Sequence, residues 1–452
     1  MILAIDCGST HHKVALFDPS LNRRAVCSKP VTYTIRNGER AEFDAGKIWQ
    51  NTVWQIRQAC QSAKIEPSAI TSIALASQAQ TFVILDALGR PVMPFISWAD
   101  KRAREESIEL DGQLGREFHR HCSFPSPIPE LELSKLLWLR RHHPNWLRPD
   151  AKVVSLSGFL AWRLGGLHIA DTNLAAMSGL YSCLENGWWE AAMGACGARC
   201  EQLGELVPAG HAVRARRPCP ELRLSAEIRI ALAGNDQTAG ACANGGGVDQ
   251  VVLTLGTALV VYRYAGGTAG PYQSEGCWGP YPGGGFYELA TCNEGCAALD
   301  WAVRTLMCDD AAAFMKRAES AAPGTALFYP QYMHSAKAWI GSDDLGSRAR
   351  AVLEGLCFSA RQLIEVNLKL KLSKAPVTVI GGGSEYCAWL QILSHILNRP
   401  VQRGKGDALL GAAMMAQPGM RAPDVSDAEA FLKPDPRSVA QYDQLYRAWQ
   451  ER

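Results

Sequence analysis

Two apolar hairpins, ILAIDCGSTHHKVALFD near the start and QVVLTLGTALVVYRY past the middle, constrain the fold more than any other feature. Each reads as strand, small-residue turn bearing a threonine, strand, and they lie about 250 residues apart. A turn built on Gly256-Thr257 rather than Asn-Gly leaves backbone N–H groups free at its tip, a shape suited to phosphate oxygens. The two hairpins predict two like-folded α/β domains facing one cleft. A chain of 452 residues is long enough for two or three domains, each with its own core.

Between the hairpins, AVCSKPVTYTI reads as a third strand and the segment from Asp44 to Ala63 as a helix with apolar residues at helical spacing. TSIALAS and FVILDALGRPVMP read as two more strands, the second running into a Leu-Gly turn. LELSKLLWLRRH predicts an amphipathic helix that Pro144 ends, and VVSLSGFLAWRLGG a strand or loop entering a short helix. IRIALAGND reads as strand then loop, with TAGACANGG opening a helix. Later, PVTVIGGGSEYCAWLQILSHILNRPV is an apolar strand broken by three glycines before a helix, a junction that presents N–H groups to an anion or nucleotide. GDALLGAAMMAQ predicts a small-residue helix able to pack closely on other elements. From Pro418 onward proline and charge increase before a terminal amphipathic helix.

Composition narrows the partners. A formal net charge of +2 gives no electrostatic case for nucleic acid or a membrane surface. The start, MILAIDCGST, lacks a basic region and is not read as a secretory signal, and no run approaches the roughly 20 apolar residues of a membrane span. Fifteen cysteines, with no CxxC pair, fit reduced thiols in a cytoplasmic chain; the C-x3-C spacings at Cys196/Cys200 and Cys292/Cys296 read as packed thiols.

Asp6 ends the first strand ahead of CGST and Lys13. A carboxylate beside a phosphate-binding turn makes sense if magnesium or its water shell lies between them; as a bland alternative, Asp6 caps the turn. Asp236, in LAGNDQTAGAC, is flanked by residues small enough for a ligand to approach, and a local turn cap is again the alternative. The glycine runs match neither the GK[ST] loop nor the first-strand GxGxxG fingerprint, which argues against a nicotinamide-dependent dehydrogenase.

Taken in order, these segments resemble the FGGY family of carbohydrate kinases, within the actin, hexokinase and Hsp70 superfamily of ATPases. IDCGSTHHK resembles the first phosphate motif, ALASQAQTFVILDALGRPVMPFISWADKR the sugar-side block, and AGNDQTAG the segment holding the family's catalytic base. LTLGTALVV resembles the second phosphate motif; VIGGGSEYCAWLQILSHILNRPV and DALLGAAMMA resemble the adenosine-side block. The resemblance implies two ribonuclease H-like (actin-like ATPase) α/β domains around a central cleft. Residues 1–240 would form the sugar-binding domain and residues 241–452 the nucleotide-binding domain.

It also implies ATP as phosphoryl donor with Mg2+, a small sugar or polyol as acceptor, and homodimerisation, which is common among relatives. Asp236 would be the general base and, with Asp6, would organise the metal. Thr10, Lys13, Gly256 and Thr257 would lie by the phosphates, and Gly382 and Gly383 by the nucleotide. Gln78, Gln80, Trp98, Asp100, Arg102, Asp171 and Asn235 would line or support the sugar pocket. Xylulokinases typically carry Gly-Gln-Met-His where this chain has Ser77-Gln78-Ala79-Gln80, and YPQYMHSAKAWIG replaces the usual S-G-E-R-T-P run. His395 stands where an aspartate is common. D-Xylulose is the first expectation; D-ribulose, glycerol and other polyols stay open, as does a nucleotide-binding regulator that lost catalysis.

Overall fold

The computed structural model describes residues 1–245, 250–267, 276–370, 375–417 and 431–451, so the proline-rich stretch from Pro418 to 430 lies outside it. The first hairpin forms as expected, with β1 (Ile2–Cys7) antiparallel to β2 (His11–Phe17). Then β3 (Arg23–Pro30) pairs with β2, while β4 (Ser72–Ser77) joins β1 in parallel. An edge strand β5 (Ala212–Arg214) flanks β6 (Arg229–Asn235), which runs parallel to β4, giving the order β5-β6-β4-β1-β2-β3.

Period-two alternation decides what covers this sheet. Leu3, Ile5, Val14, Leu16, Ile73 and Leu75 face the core that contains α1 (Ala45–Ala63), α2 (Glu132–His142) and α3 (Leu156–Gly165). On the opposite face the same strands carry Ala4, Ala15, Ala74 and Ala76. A methyl-lined face lets a helix approach closely.

The second sheet repeats the plan. Antiparallel β7 (Val251–Leu255) and β8 (Leu259–Gly266) are extended by β10 (Phe286–Cys292), with β9 (Cys277–Pro280) at the edge. On the other side β11 (Val377–Ile380) and β12 (Val401–Arg403) run parallel to β7. Leaving aside each edge strand, both sheets have the order third-second-first-fourth-fifth with identical strand directions. These are the two ribonuclease H-like domains expected.

The crossing helices were not foreseen. Helix α5 (Asp236–Cys242) leaves β6 and reaches the second sheet, where Ala241 packs with Val252, Val260 and Tyr262. From the far end of the chain, α9 (Ala408–Met415) lies on the alanine face of the first sheet through Leu409, Ala412 and Ala413. The helices touch where Gly411 meets Ala239: a Cβ on Gly411 would lie 1.8 Å from the Ala239 carbonyl oxygen. The boundary expected between residues 240 and 241 falls inside α5.

Three local expectations need correction. AVCSKPVTYTI is not one strand: β3 stops at Pro30, and Ile35–Arg36 belongs to a separate five-stranded sheet. FVILDALGRPVMP keeps only Phe82–Leu85 as strand, because the Asp86 carboxylate accepts from the N–H groups of Leu88 and Arg90 and closes a turn. No loop follows IRIALAGN. The helix begins at Asp236 itself, since the Asn235 side chain accepts the Gln237 N–H at 3.0 Å and caps it.

Candidate active site

The first hairpin sets Asp6 directly opposite Lys13, both on the face turned toward α9. Asp6 is buried, and its Oδ1 has no hydrogen-bond partner. Burial first, then the nearby Asp236 carboxylate, push Asp6 up to about 7, with Lys13 opposing them. Burial likewise raises Asp236, against a 2.8 Å bond from the Gln237 N–H to its Oδ1 and the attraction of Lys13. Two buried carboxylates whose protons burial retains, with Lys13 opposing, form a site short of positive charge. Among the described residues no group of three or more His, Cys, Asp or Glu side chains could hold a metal by itself. The orphaned Asp6 oxygen and its charge deficit nevertheless fit a divalent cation whose other ligands are water and phosphate oxygens.

Thr10 is exposed at the first hairpin tip, and its carbonyl accepts the Val31 N–H. At the second tip, the carbonyls of Gly256 and Thr257 accept N–H groups of Cys296 and Ala297 from the start of the helix Gly295–Thr305. The three glycines have separate reasons. A Cβ at Gly381 would meet the Leu255 carbonyl at 2.5 Å, and one at Gly383 the Leu255 and Trp389 side chains at 2.7 Å. Gly382 alone faces open space. The glycine turn is therefore packed against the tip end of the second hairpin, leaving bare backbone at Gly382.

The strand β4 ends into Gln78, whose amide is buried with neither nitrogen nor oxygen bonded. A buried amide left unpaired costs about 1–3 kcal/mol, so it points to a ligand rather than to the fold. Gln80 sits at φ +54°, unusual for a side chain other than glycine. Its carbonyl accepts from the buried Lys135 ammonium at 3.2 Å, which also donates to Ser97 at 2.8 Å. Burial pulls Lys135 down to about 7. No spacing marks this lysine's task, because it sits on a helix that reads as merely amphipathic.

Trp98 is half-buried, its N–H held by Thr81. Asp100 and Arg102 are committed elsewhere. Arg102 pairs with Asp100 at 2.6 Å and Glu42 at 2.5 Å, and Asp100 accepts the Ala41 N–H at 2.7 Å. Their charges are thus satisfied by one another, by Glu42 and by the Ala41 N–H. Asp171 is buried as the cap of α4 (Thr172–Ala176), bonded to the Leu174 N–H, and burial raises it to about 6. Asn235 caps α5, and its own N–H donates to Asn173 Oδ1 at 2.9 Å. Asn173 was missed, since a lone asparagine in a short helix carries no pattern.

Family models for the N-terminal and C-terminal domains of the FGGY carbohydrate kinases match residues 1–243 and 251–419. The chain belongs to the FGGY family of carbohydrate kinases. It is therefore an ATP-dependent carbohydrate or polyol kinase with the actin-like ATPase fold. The xylulose kinase of Escherichia coli (strain K12) is 26% identical over 92% of this chain and 90% of its own length. The crystal structure of a xylulose kinase from Brucella ovis superposes with a TM-score of 0.89, at 22% identity over 99% of this chain and 98% of that one. A gluconate kinase from Lactobacillus acidophilus does so at 0.86, with 23% identity over 100% and 96%. The fold is thus shared by kinases named for different acceptors.

Proposed function

We propose that this FGGY kinase phosphorylates a small ketose or polyol, D-xylulose first, with Asp236 as general base. The observation that carries the reading is Asp236 on the first turn of the helix crossing between the two sheets, raised by burial and within electrostatic reach of Asp6 and Lys13. Asp236 takes the proton of the acceptor hydroxyl as that oxygen bonds to the γ-phosphorus and the bond to the departing ADP breaks. A raised carboxylate is a better base near neutral pH. Lys13 and the hairpin-tip N–H groups offset the phosphate charge, and Gly382 leaves room for the nucleotide. Bound Mg2+, held through Asp6 and Asp236, would supply further charge neutralisation at the phosphates.

Gln78 and Gln80 are the acceptor-reading side chains, with Trp98 beside them and Asn235 fixing the base. The first relatives support D-xylulose; D-ribulose and glycerol are the rivals, because Ala79-Gln80 replaces the usual Met-His. All fifteen cysteines are free thiols, which supports a cytoplasmic location. The test is a coupled ADP-release assay over ketopentoses, aldoses, gluconate, glycerol and tetritols, with wild type and Asp236→Asn. One acceptor should stand out, and the variant should lose at least about 10²-fold in turnover. A variant turning over at the wild-type rate removes Asp236 from the role of base. Wild type without any acceptor-stimulated ADP release would favour a regulator.

A further inference from the structure

We infer that Asn173 is the positioning residue through which the second domain sets the placement of Asp236. Its side chain is fully buried in α4 and divided between the domains. Nδ2 donates to the Pro280 carbonyl of β9, in the second sheet, at 2.9 Å. Oδ1 accepts the Asn235 N–H, one residue before Asp236, also at 2.9 Å.

The chain around Asn235 is shaped to receive this bond. The β4–β6 register slips between Leu232 and Asn235, and within the slip Gly234 adopts φ +71°. A Cβ on Gly234 would lie 2.7 Å from Asn173 Oδ1, so neither the conformation nor the space admits a side chain. The bulge turns the Asn235 N–H out of the strand ladder and toward α4. Asn235 then caps α5, fixing the turn on which Asp236 sits.

Further bonds tie the same turn to the second sheet. Thr254 donates to Gln237 Oε1 at 2.8 Å, and Tyr262 to Thr238 Oγ1 at 3.1 Å. Asp236 is thus held from both domains, and Asn173 bonds both in one planar amide. An amide is rigid, so a displacement of β9 at one end is transmitted to the Asn235 N–H at the other. When the domains close on a nucleotide, the amide draws the base into line; when they part, it is released. This inference rests on Asp236 being the base.

The test is hydrogen exchange of the segment from Arg229 to Cys242 in the full chain, without and with Mg2+ and a non-hydrolysable ATP analogue. In wild type the analogue should slow exchange at Asn235 and the first turn of α5. Asn173→Leu, which removes both bonds, should exchange faster at rest and lose the response. Asn173→Asp keeps the acceptor for the Asn235 N–H but sets an oxygen against the Pro280 carbonyl. It should retain resting protection and lose the response. Should the leucine variant fail to fold, the aspartate variant makes the same decision.

In steady-state assays both variants should lose roughly tenfold in kcat, with KM for ATP within about twofold of wild type. A purely structural role would lower melting temperature and leave the response and kcat per folded molecule intact. A nucleotide response surviving in both variants, or absent from wild type, overturns the inference. If Asp236→Asn is fully active, the base assignment falls instead, while the exchange comparison still reports whether the domains are coupled through Asn173.

Discussion

Gly411→Ala adds one methyl group at the crossing of the two inter-sheet helices, and its consequence can be worked from the geometry. The new Cβ would stand 1.8 Å from the Ala239 carbonyl oxygen, where ordinary contact begins near 3.4 Å. The helices must therefore separate by roughly 1.5 Å. Helix α9 has nowhere to retreat, because Leu409, Ala412 and Ala413 are seated on the alanine face of the first sheet. The displacement falls on α5, whose first residue is Asp236. Overpacking of this kind costs about 1–3 kcal/mol of stability. A displacement of about 1 Å at a reacting group costs on the order of 10²-fold in rate. Thermal melting and the coupled ADP assay read the two effects separately. Gly194→Ala is the control: it lies in the helix Glu190–Cys196 with open space at its Cβ, and should be neutral or slightly stabilising. A Gly411→Ala protein with wild-type kcat and melting temperature would refute the close crossing of these helices.

Other consequences follow at single residues. Asp6→Ala should abolish Mg2+-dependent transfer while the chain still melts cooperatively; full activity at low Mg2+ would reduce Asp6 to a turn cap. Gln80→Ala should raise KM for the acceptor and leave KM for ATP unchanged, as titrations of each at saturating partner would show; an effect confined to ATP would move Gln80 out of the acceptor pocket. Burial lowers His12 from 6.5 to about 4. The unfolded chain therefore binds a proton that the folded chain refuses, and about 3 kcal/mol of stability present above pH 6.5 is lost as pH falls through 4. Urea unfolding of wild type and His12→Leu between pH 7 and 4 should show the shallower slope in the variant; equal slopes would mean that His12 is protonated in the fold.

Much of the fold was legible because it is written locally. The hairpin that sets Asp6 opposite Lys13, the glycine break after Ile380 and the helix from Asp44 all follow from alternation, turn chemistry and capping. What was not legible depends on partners far away in sequence. GDALLGAAMMAQ is apolar nearly all round, so its periodicity names no face, and only the alanines of four distant strands reveal where it seats. The helix Arg104–His121 was missed because charges surround it and Gly115 kinks it. Within the site, Asp6 was readable as a carboxylate ending an apolar strand and Asp236 as one set among small residues, while Lys13 took its role from the family motif. Asn173 and Lys135 were not. Their tasks lie in bonds to backbone groups of Asn235, Pro280, Gln80 and Ser97, and no spacing in the chain encodes a bond to a backbone atom.

The duplication of the fold also explains why the chemistry is lopsided. Matched by register from their tips, Asp6 opposite Lys13 in the first hairpin corresponds to Thr254 opposite Val260 in the second. Both pairs face an inter-sheet helix, α9 over the first sheet and α5 over the second. The helices correspond as well. Each follows the fifth strand of its sheet, each is capped by the residue before it, Asn235 and Asp407, and they meet at Ala239 and Gly411, each four residues past its cap. A near-symmetric frame thus places one charged pair and one neutral pair across a common axis. The first domain contributes the carboxylates and the ammonium, whereas the second hairpin carries no charge at the matching pair and Gly382 faces open space. An acceptor hydroxyl needs a base, and a triphosphate needs room and N–H donors. In the proposed reading Asp6 and Lys13 serve the metal and the phosphates, so the neutral Thr254 at the matching place leaves the second hairpin without a carboxylate to repel the nucleotide.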